Sequence, residues 1–395
     1  MSAMRVAPAA TNAAKVGGPT RARSWLFLAA HDPAHPHATG GDLLAFDLAE
    51  ALAGRGDDVE IWCSRHRKLP TKATLRGVKV RRFPPGRMLP LTIRGALLVG
   101  RGRRFHVIVE QVVGTQRFPF LARLFSSKPT LGIWYQDNVP LFDAVFRGSV
   151  TRWLARALQR VLLVVYAKGP VLTCSQTSSR WLAAQGIPSE RIGLFYPRVN
   201  LPPGAKAPPP FVARENLFVV IGNFRPTKRF EEALEVLREV RRRGVDARCA
   251  IVGRTNDLPY LERIRALAEA PDLRGSVDLL PDLGEEEKFA LLLRAKVLTV
   301  HSPIEGFGWT LLEAGRQGVP AVVNSGVPEE ARGSEGGTQV VPFGDVGAYA
   351  DAVAGWMTSA PRWTDASSAT RQHAAMFAGS VLTSELLEFL ARTFP

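Results

Sequence analysis

The chain has 395 residues, 46% hydrophobic and 22% charged, a globular composition long enough for two or three domains; it excludes wholesale disorder, a coiled coil and a collagen-like repeat. No apolar run approaches the roughly 18 residues of a bilayer-spanning helix, and Cys63, Cys174 and Cys249 lie far apart with no C-x-x-C pair, so a reducing, cytoplasmic compartment is expected. The net charge of +15 is lopsided: residues 1–200 hold 29 Lys and Arg against 11 Asp and Glu, residues 201–395 hold 22 against 25, and residues 61–109 carry 13 basic side chains and no acid, a field that attracts nucleic acid, anionic lipid or phosphorylated substrates.

Residues 1–20 are Ala-rich without an apolar core of signal-peptide length and are expected to form a loose tail. A strand is predicted over 24–30. The loop after it, His31-Asp32-Pro33-Ala34-His35-Pro36-His37, reads as a polar active-site loop rather than a metal site, with His31 a candidate for the acceptor side. Gly40 and Gly41 can let backbone approach a phosphate ahead of a helix at 42–56, where Leu43, Leu44, Phe46, Leu48 and Leu52 recur near helical spacing. Further strands are predicted at 58–63, 78–83, 105–111, 130–136 and 170–174. The 130–136 strand ends on Gln136-Asp137, one an amide able to position a sugar hydroxyl, the other a carboxylate able to bind an acceptor. Residues 147–169 set Arg152, Arg156 and Arg160 at i, i+4 and i+8 beside Trp153, Leu154, Leu158, Val161 and Leu162; such a helix can rest on an anionic membrane or bury its apolar side in the domain.

Residues 202–210 hold five prolines in nine, a semi-rigid linker at the point where the charge changes sign. Beyond it, strands at 216–222, 247–253, 276–280, 297–300 and 320–324 alternate with helices at 229–243, 259–270, 285–295 and 310–317, and a last helix falls at 381–391. Alternation of this kind in both halves means right-handed βαβ units and parallel sheets, hence two Rossmann-like domains facing across a cleft, with ligands at the carboxyl ends of the strands.

The motif G-x-x-x-x-G-K-[ST] is absent, Gly100-Arg101-Gly102 lacks the third glycine of a dinucleotide fingerprint, and no D-x-D occurs. The informative segment is His301 to Glu313, HSPIEGFGWTLLE. A strand ends, a glycine-bearing turn follows, and a helix starts near Thr310. This aims the N–H groups of Gly308, Trp309, Thr310 and Leu311 at one point, an anion site suited to a diphosphate. Glu305 and Glu313 flank it with acceptor-only oxygens, which suit sugar or ribose hydroxyls.

E-G-F-G-x-x-x-x-E resembles the E-x7-E motif of the retaining glycosyltransferases of glycosyltransferase family 4, the "group 1" family, which have the GT-B fold. Residues 313–330, 217–237, 250–257 and 277–300 resemble that family's second domain in the right order; 39–62 and 172–200 resemble parts of its first, while 65–168 do not. The resemblance implies an α/β GT-B protein: an acceptor-binding first domain over 21–201 plus the C-terminal helix at about 371–395, and a nucleotide-sugar-binding domain over 211–370. It implies transfer of a sugar from a nucleoside diphosphate donor to an acceptor hydroxyl with retention, without metal or resident cofactor. Glu305 would contact the donor sugar, Glu313 the ribose, and the backbone of Gly306, Phe307, Gly308, Trp309, Thr310 and Leu311 the sugar and phosphates. Lys228 fits the diphosphate lysine. Asn223 stands where the family has an arginine, with Arg225 two residues on as a substitute, and Gly41 and Gly253 join the donor set. Gln136 stands where many relatives have a histidine. The acceptor expected is a cell-envelope glycan, a lipid-linked sugar or a soluble small molecule, with peripheral contact on the inner membrane face. The other classes weighed are a sugar-nucleotide epimerase and a basic nucleic-acid-binding protein; no recognition motif supports nucleic acid.

Overall fold

The computed structural model describes residues 22–84, 101, 104–112, 122–145, 148–202, 204–333 and 336–395. The predicted tail at 1–20 and part of the acid-free basic block lie outside them. In the first half the strands are β1 (Ser24–Leu28), β2 (Asp58–Ser64), β3 (Lys72–Leu75), β4 (Val78–Phe83), β5 (Val107–Gln111), β6 (Thr130–Ile133), β7 (Val171–Thr173) and β8 (Ile192–Leu194). They form one sheet in the order β3-β4-β2-β1-β5-β6-β7-β8, parallel except for the β3–β4 hairpin. Its helices include α1 (Gly40–Gly54), α2 (Ala122–Phe125), α3 (Val139–Val145), α4 (Ser149–Tyr166) and α5 (Gln176–Ala184). The second half has strands β9 (Leu217–Ile221), β10 (Arg248–Gly253), β11 (Val277–Pro281), β12 (Val297–Thr299), β13 (Ala321–Val323) and β14 (Thr338–Val340), in the order β11-β10-β9-β12-β13-β14. Around them lie α6 (Phe230–Arg242), α7 (Leu258–Ala268), α8 (Glu285–Arg294), α9 (Trp309–Arg316), α10 (Glu329–Arg332), α11 (Val346–Thr358) and α12 (Ala360–Ala375). A last helix, α13 (Ser384–Thr393), closes the chain.

Central strands are buried along their length, as parallel sheets covered on both faces require. The two sheets turn their carboxyl ends toward each other. Ala30, Tyr135 and Cys174 follow β1, β6 and β7, while Gln111, Gly222 and Gly253 stand at the ends of β5, β9 and β10; all six line the space between the halves.

The chain crosses between the halves twice. Helix α12 still packs on α9, where a Cβ on Gly315 would meet Ala374 at 2.9 Å. The crossing comes just after it. Val199 N–H donates to the Phe377 carbonyl (2.9 Å), Arg198 to that of Met376 (2.9 Å), and Gly379 N–H to Asn200 (2.9 Å). Helix α13 then lies on the first sheet, with Phe389 over Gly193 and Phe394 edge-on to Trp25 at 5.8 Å. The return therefore begins at about 376 rather than 371. The proline-rich stretch is fastened to the second half: buried Arg214 donates to the carbonyls of Pro209, Leu292, Ala295 and Gln317 and stacks on Trp363 at 4.9 Å.

Candidate active site

A cleft of about 1740 Å³ separates the halves. On the second-half side its wall is the turn that enters α9. Gly308 adopts φ +101°, a left-handed conformation that only glycine takes cheaply, and this lets the chain double back into the helix. Gly306, Phe307, Gly308, Trp309 and Thr310 line the cleft. Among the described residues the N–H groups of Trp309 and Thr310 have no partner, while that of Leu311 donates to the Gly308 carbonyl at 2.9 Å. Leu311 is 4% exposed and does not line the cleft, so its place in the expected donor set is corrected: it is core. The Phe307 ring is also turned inward, between Tyr196 at 5.8 Å and Phe377 at 5.4 Å.

Glu305 precedes the turn, and Lys228 donates to its Oε1 at 2.5 Å. Burial pushes the Glu305 carboxyl up, but Lys228, Ser302 and Arg225 outweigh it and hold the group below the usual carboxylate range. Arg225 lines the cleft, its buried Nε unpartnered among the described residues, and burial lowers its pKa against the pull of Glu305. Asn223 is on the wall as well. Gly253 faces the cleft, but its lack of a side chain serves the fold: a Cβ would stand 1.7 Å from the Gly222 carbonyl oxygen.

Glu313 lies one turn into α9, 13% exposed, and accepts a 2.8 Å bond from Lys288, which also donates to Glu285 at 3.0 Å. Burial raises the Glu313 pKa, and Lys288 opposes the rise without cancelling it. Sequence reasoning missed Lys288. Its only signal is a basic residue in the helix E-E-E-K-F, where an i, i+3 surface pair is the ordinary reading.

The facing wall comes from the first half. Gly41 lies in the first turn of α1, its carbonyl accepts the Tyr135 hydroxyl (2.6 Å) and Gln111 Nε2 (3.1 Å), and a Cβ there would press on the Tyr135 ring at 2.9 Å. The start of α1 meets the start of α9 across the gap: a Cβ on Gly40 would be 3.8 Å from the Trp309 ring. Two helix N-termini thus face one volume. Gln136 sits opposite Gly306, its Oε1 3.3 Å from where a Cβ on that glycine would stand. Gln111, another residue the sequence did not flag, ties Ala30, Gly41 and Tyr135 together.

Asp137 is corrected. It does not line the cleft; its Oδ1 accepts from Val139 N–H at 3.0 Å and from Gln159 Nε2 at 2.8 Å, so it shapes the turn into α3 and anchors α4. His31 does line the cleft, held through its N–H (3.3 Å) and Nδ1 (3.4 Å) by Asp42 and stacked on His35 at 4.1 Å. Among the described residues no group of three or more His, Cys, Asp or Glu is arranged to hold a metal ion.

Residues 205–373 match the family described as Glycosyl transferases group 1. Over 129 residues the chain is 28% identical to the serotype-specific mannosyltransferase WbdA of Escherichia coli, a match covering 32% of this chain and only 16% of that curated relative. Sucrose-phosphate synthase of Thermosynechococcus elongatus superposes with a TM-score of 0.70 at 17% identity, over 90% of this chain and 95% of that one. Anabaena HepE, solved with UDP-glucose, superposes with a TM-score of 0.71 at 14% identity, over 94% and 99%. Identities this low speak for the fold, and the fold is GT-B: two parallel-sheet α/β domains across a cleft.

Proposed function

We propose that this chain, GT-B in fold and carrying a group 1 glycosyltransferase region at 205–373, transfers a sugar from a nucleoside diphosphate donor to an acceptor hydroxyl with retention, in the assembly of a cell-envelope glycan or glycolipid. One observation carries the reading. Two carboxylates, each held by its own lysine (Lys228–Glu305 and Lys288–Glu313), bracket a helix start with unpartnered N–H groups on a single cleft wall. Glu305 takes donor sugar hydroxyls and Glu313 the ribose; the N–H groups, Lys228 and Arg225 take the diphosphate.

Charge accumulates on the leaving diphosphate as the glycosidic bond breaks, and two fixed cations with a helix dipole offset it without metal. Gln136 has no proton to give or take at neutral pH and serves to position a hydroxyl. The departing phosphate, on the same face as the attacking hydroxyl, accepts its proton, which fits retention. Two likenesses support the reading. HepE was solved with UDP-glucose, which favours a nucleotide-sugar donor here, and WbdA is a serotype-specific mannosyltransferase, which favours a glycan product.

The test is calorimetric titration of wild type and Glu313→Ala with UDP, GDP, dTDP and ADP. One of the four should bind in the micromolar range. The variant should bind it roughly 10- to 150-fold more weakly, the scale of a lost charged hydrogen bond of about 1.5–3 kcal/mol. Equal affinity in the variant, or no binding of any nucleotide by wild type, would overturn the assignment.

A further inference from the structure

Helix α4 has two different faces. Its inward face, Gln159, Leu162, Leu163 and Tyr166, is buried in the first half. Its outward face is apolar and uncovered: Val150, Trp153, Leu154, Leu158, Val161 and Val164 are 39–67% exposed. They recur at i, i+3, i+4, i+8, i+11 and i+14, a straight stripe about 21 Å long at 1.5 Å per residue. The expected burial of the helix's apolar side in the domain therefore holds for Leu162 but not for Trp153, Leu154, Leu158 and Val161. Leu124 and Phe125 on α2, which packs against α4, are exposed as well. Six large apolar side chains in one exposed row cost solvation unless something covers them.

Charge indicates what covers them. The helix has no acidic residue, and Arg152, Arg156 and Arg160 run along one flank of the stripe. Arg156 is neutralised by Asp143 (2.6 and 2.7 Å); Arg152, Arg160 and Lys168 just beyond have no carboxylate partner among the described residues. A second copy meeting this face would set two acid-free, arginine-flanked helices against each other. A surface with apolar depth and a negative rim complements both features.

We propose that α4 lies in the interface of an anionic lipid membrane, its stripe among the acyl chains and Arg152, Arg160 and Lys168 at the headgroups. The dock is tied to the cleft wall by a hydrogen bond. Gln159, on the inward face, holds Asp137, whose chain neighbours Gln136 and Asn138 line the cleft wall. Given the transfer reaction proposed above, a lipid-borne acceptor is delivered to the cleft from the surface on which the enzyme rests.

The test needs no catalysis, so its failure is separable from failure of the transferase reading. Full-length protein is sedimented with vesicles of phosphatidylglycerol and phosphatidylcholine in equal parts, and with phosphatidylcholine alone. Wild type should pellet with the anionic vesicles only, less so at high salt. The triple variant Trp153→Ser/Val161→Ser/Val164→Ser should partition at least about tenfold more weakly, and Arg160→Glu measurably more weakly, both keeping wild-type melting and nucleotide binding. If the triple variant fails to fold, Arg160→Glu alone decides. Wild type that stays in the supernatant overturns the proposal, as do folded variants that pellet like wild type. A wild-type dimer that the triple variant abolishes also overturns it, because the occupant is then a second copy.

Discussion

Lys228 and Lys288 stand in the same relation to the two glutamates, but the electrostatic balance differs. Lys228, with Ser302 and Arg225, overcomes burial and keeps Glu305 easily ionised; Lys288 leaves Glu313 with a raised pKa. Lys228→Met should lower kcat by about 10²–10³, the scale of removing one preorganised charge-stabilising donor; steady-state rates within threefold of wild type would refute its role. Lys288→Met removes what opposes burial, so the Glu313 carboxyl should protonate at higher pH still. If Glu313 accepts from the ribose as proposed, nucleotide affinity should then fail on the acid side at a higher pH than in wild type. Titrations from pH 5 to 8 read this, and coincident acid limbs would reject it. The two glutamates and their turn were legible in the sequence because spacing along one helix start is local. Lys288 and Gln111 were not, because their partners are set by tertiary packing. Asp137 misled because a carboxylate after a strand looks the same whether it faces a ligand or bonds the N–H two residues on.

Among the elements, the loop from Ala29 to Thr39 has no regular structure yet is fixed in place. Arg82 of β4 grips Asp32 through Nε (2.6 Å) and Nη2 (3.0 Å), both side chains almost wholly buried. Burial raises the Asp32 pKa, and the Arg82 guanidinium, the Ala34 N–H and the Cys63 thiol together more than reverse it. Asp32→Ala would strand a buried guanidinium and should cost about 3–5 kcal/mol in urea unfolding; a loss under about 1 kcal/mol would show that water replaces the carboxylate. The inner strands of both sheets were legible as apolar runs, while the outermost β8 and β14, three residues each, were not. β3 was missed because it is only four residues long, too short for its alternation to stand out, and its turn uses Arg76 at φ +45° before Gly77, where Asn or Asp would have announced a hairpin. Helices α11 and α12 were missed because alanines such as Ala350, Ala352, Ala366 and Ala374 form much of their buried faces, and alanine gives a weak periodic signal.

At the scale of the molecule, the halves are latched as well as joined. Glu330 of the second half accepts from the N–H groups of Gln176 and Thr177 at the start of α5 in the first, and Arg254 donates to the carbonyls of His35 (3.4 Å) and Ala38 (3.3 Å). Glu330→Ala should open the cleft, seen as a larger radius of gyration by small-angle X-ray scattering without loss of secondary structure. His35 sits inside this contact, and burial together with His31, His37 and His66 pushes its pKa down to about 4. It is neutral when folded and titrates near its ordinary 6.5 when unfolded. The stability it lends is complete above about pH 6.5 and drains away toward pH 4. Urea unfolding at pH 7 and pH 4.5 should show that loss, and His35→Phe should flatten it. No helix among the described residues is long and apolar enough to cross a bilayer. The two chain crossings, bonded side by side through Val199–Phe377 and Asn200–Gly379, have a mechanical consequence. Two strands laced together make a flat ribbon, which bends readily out of its own plane and stiffly within it. The halves should thereby have one easy axis of rotation, so that the two cleft walls part and return along a single arc and meet again in register.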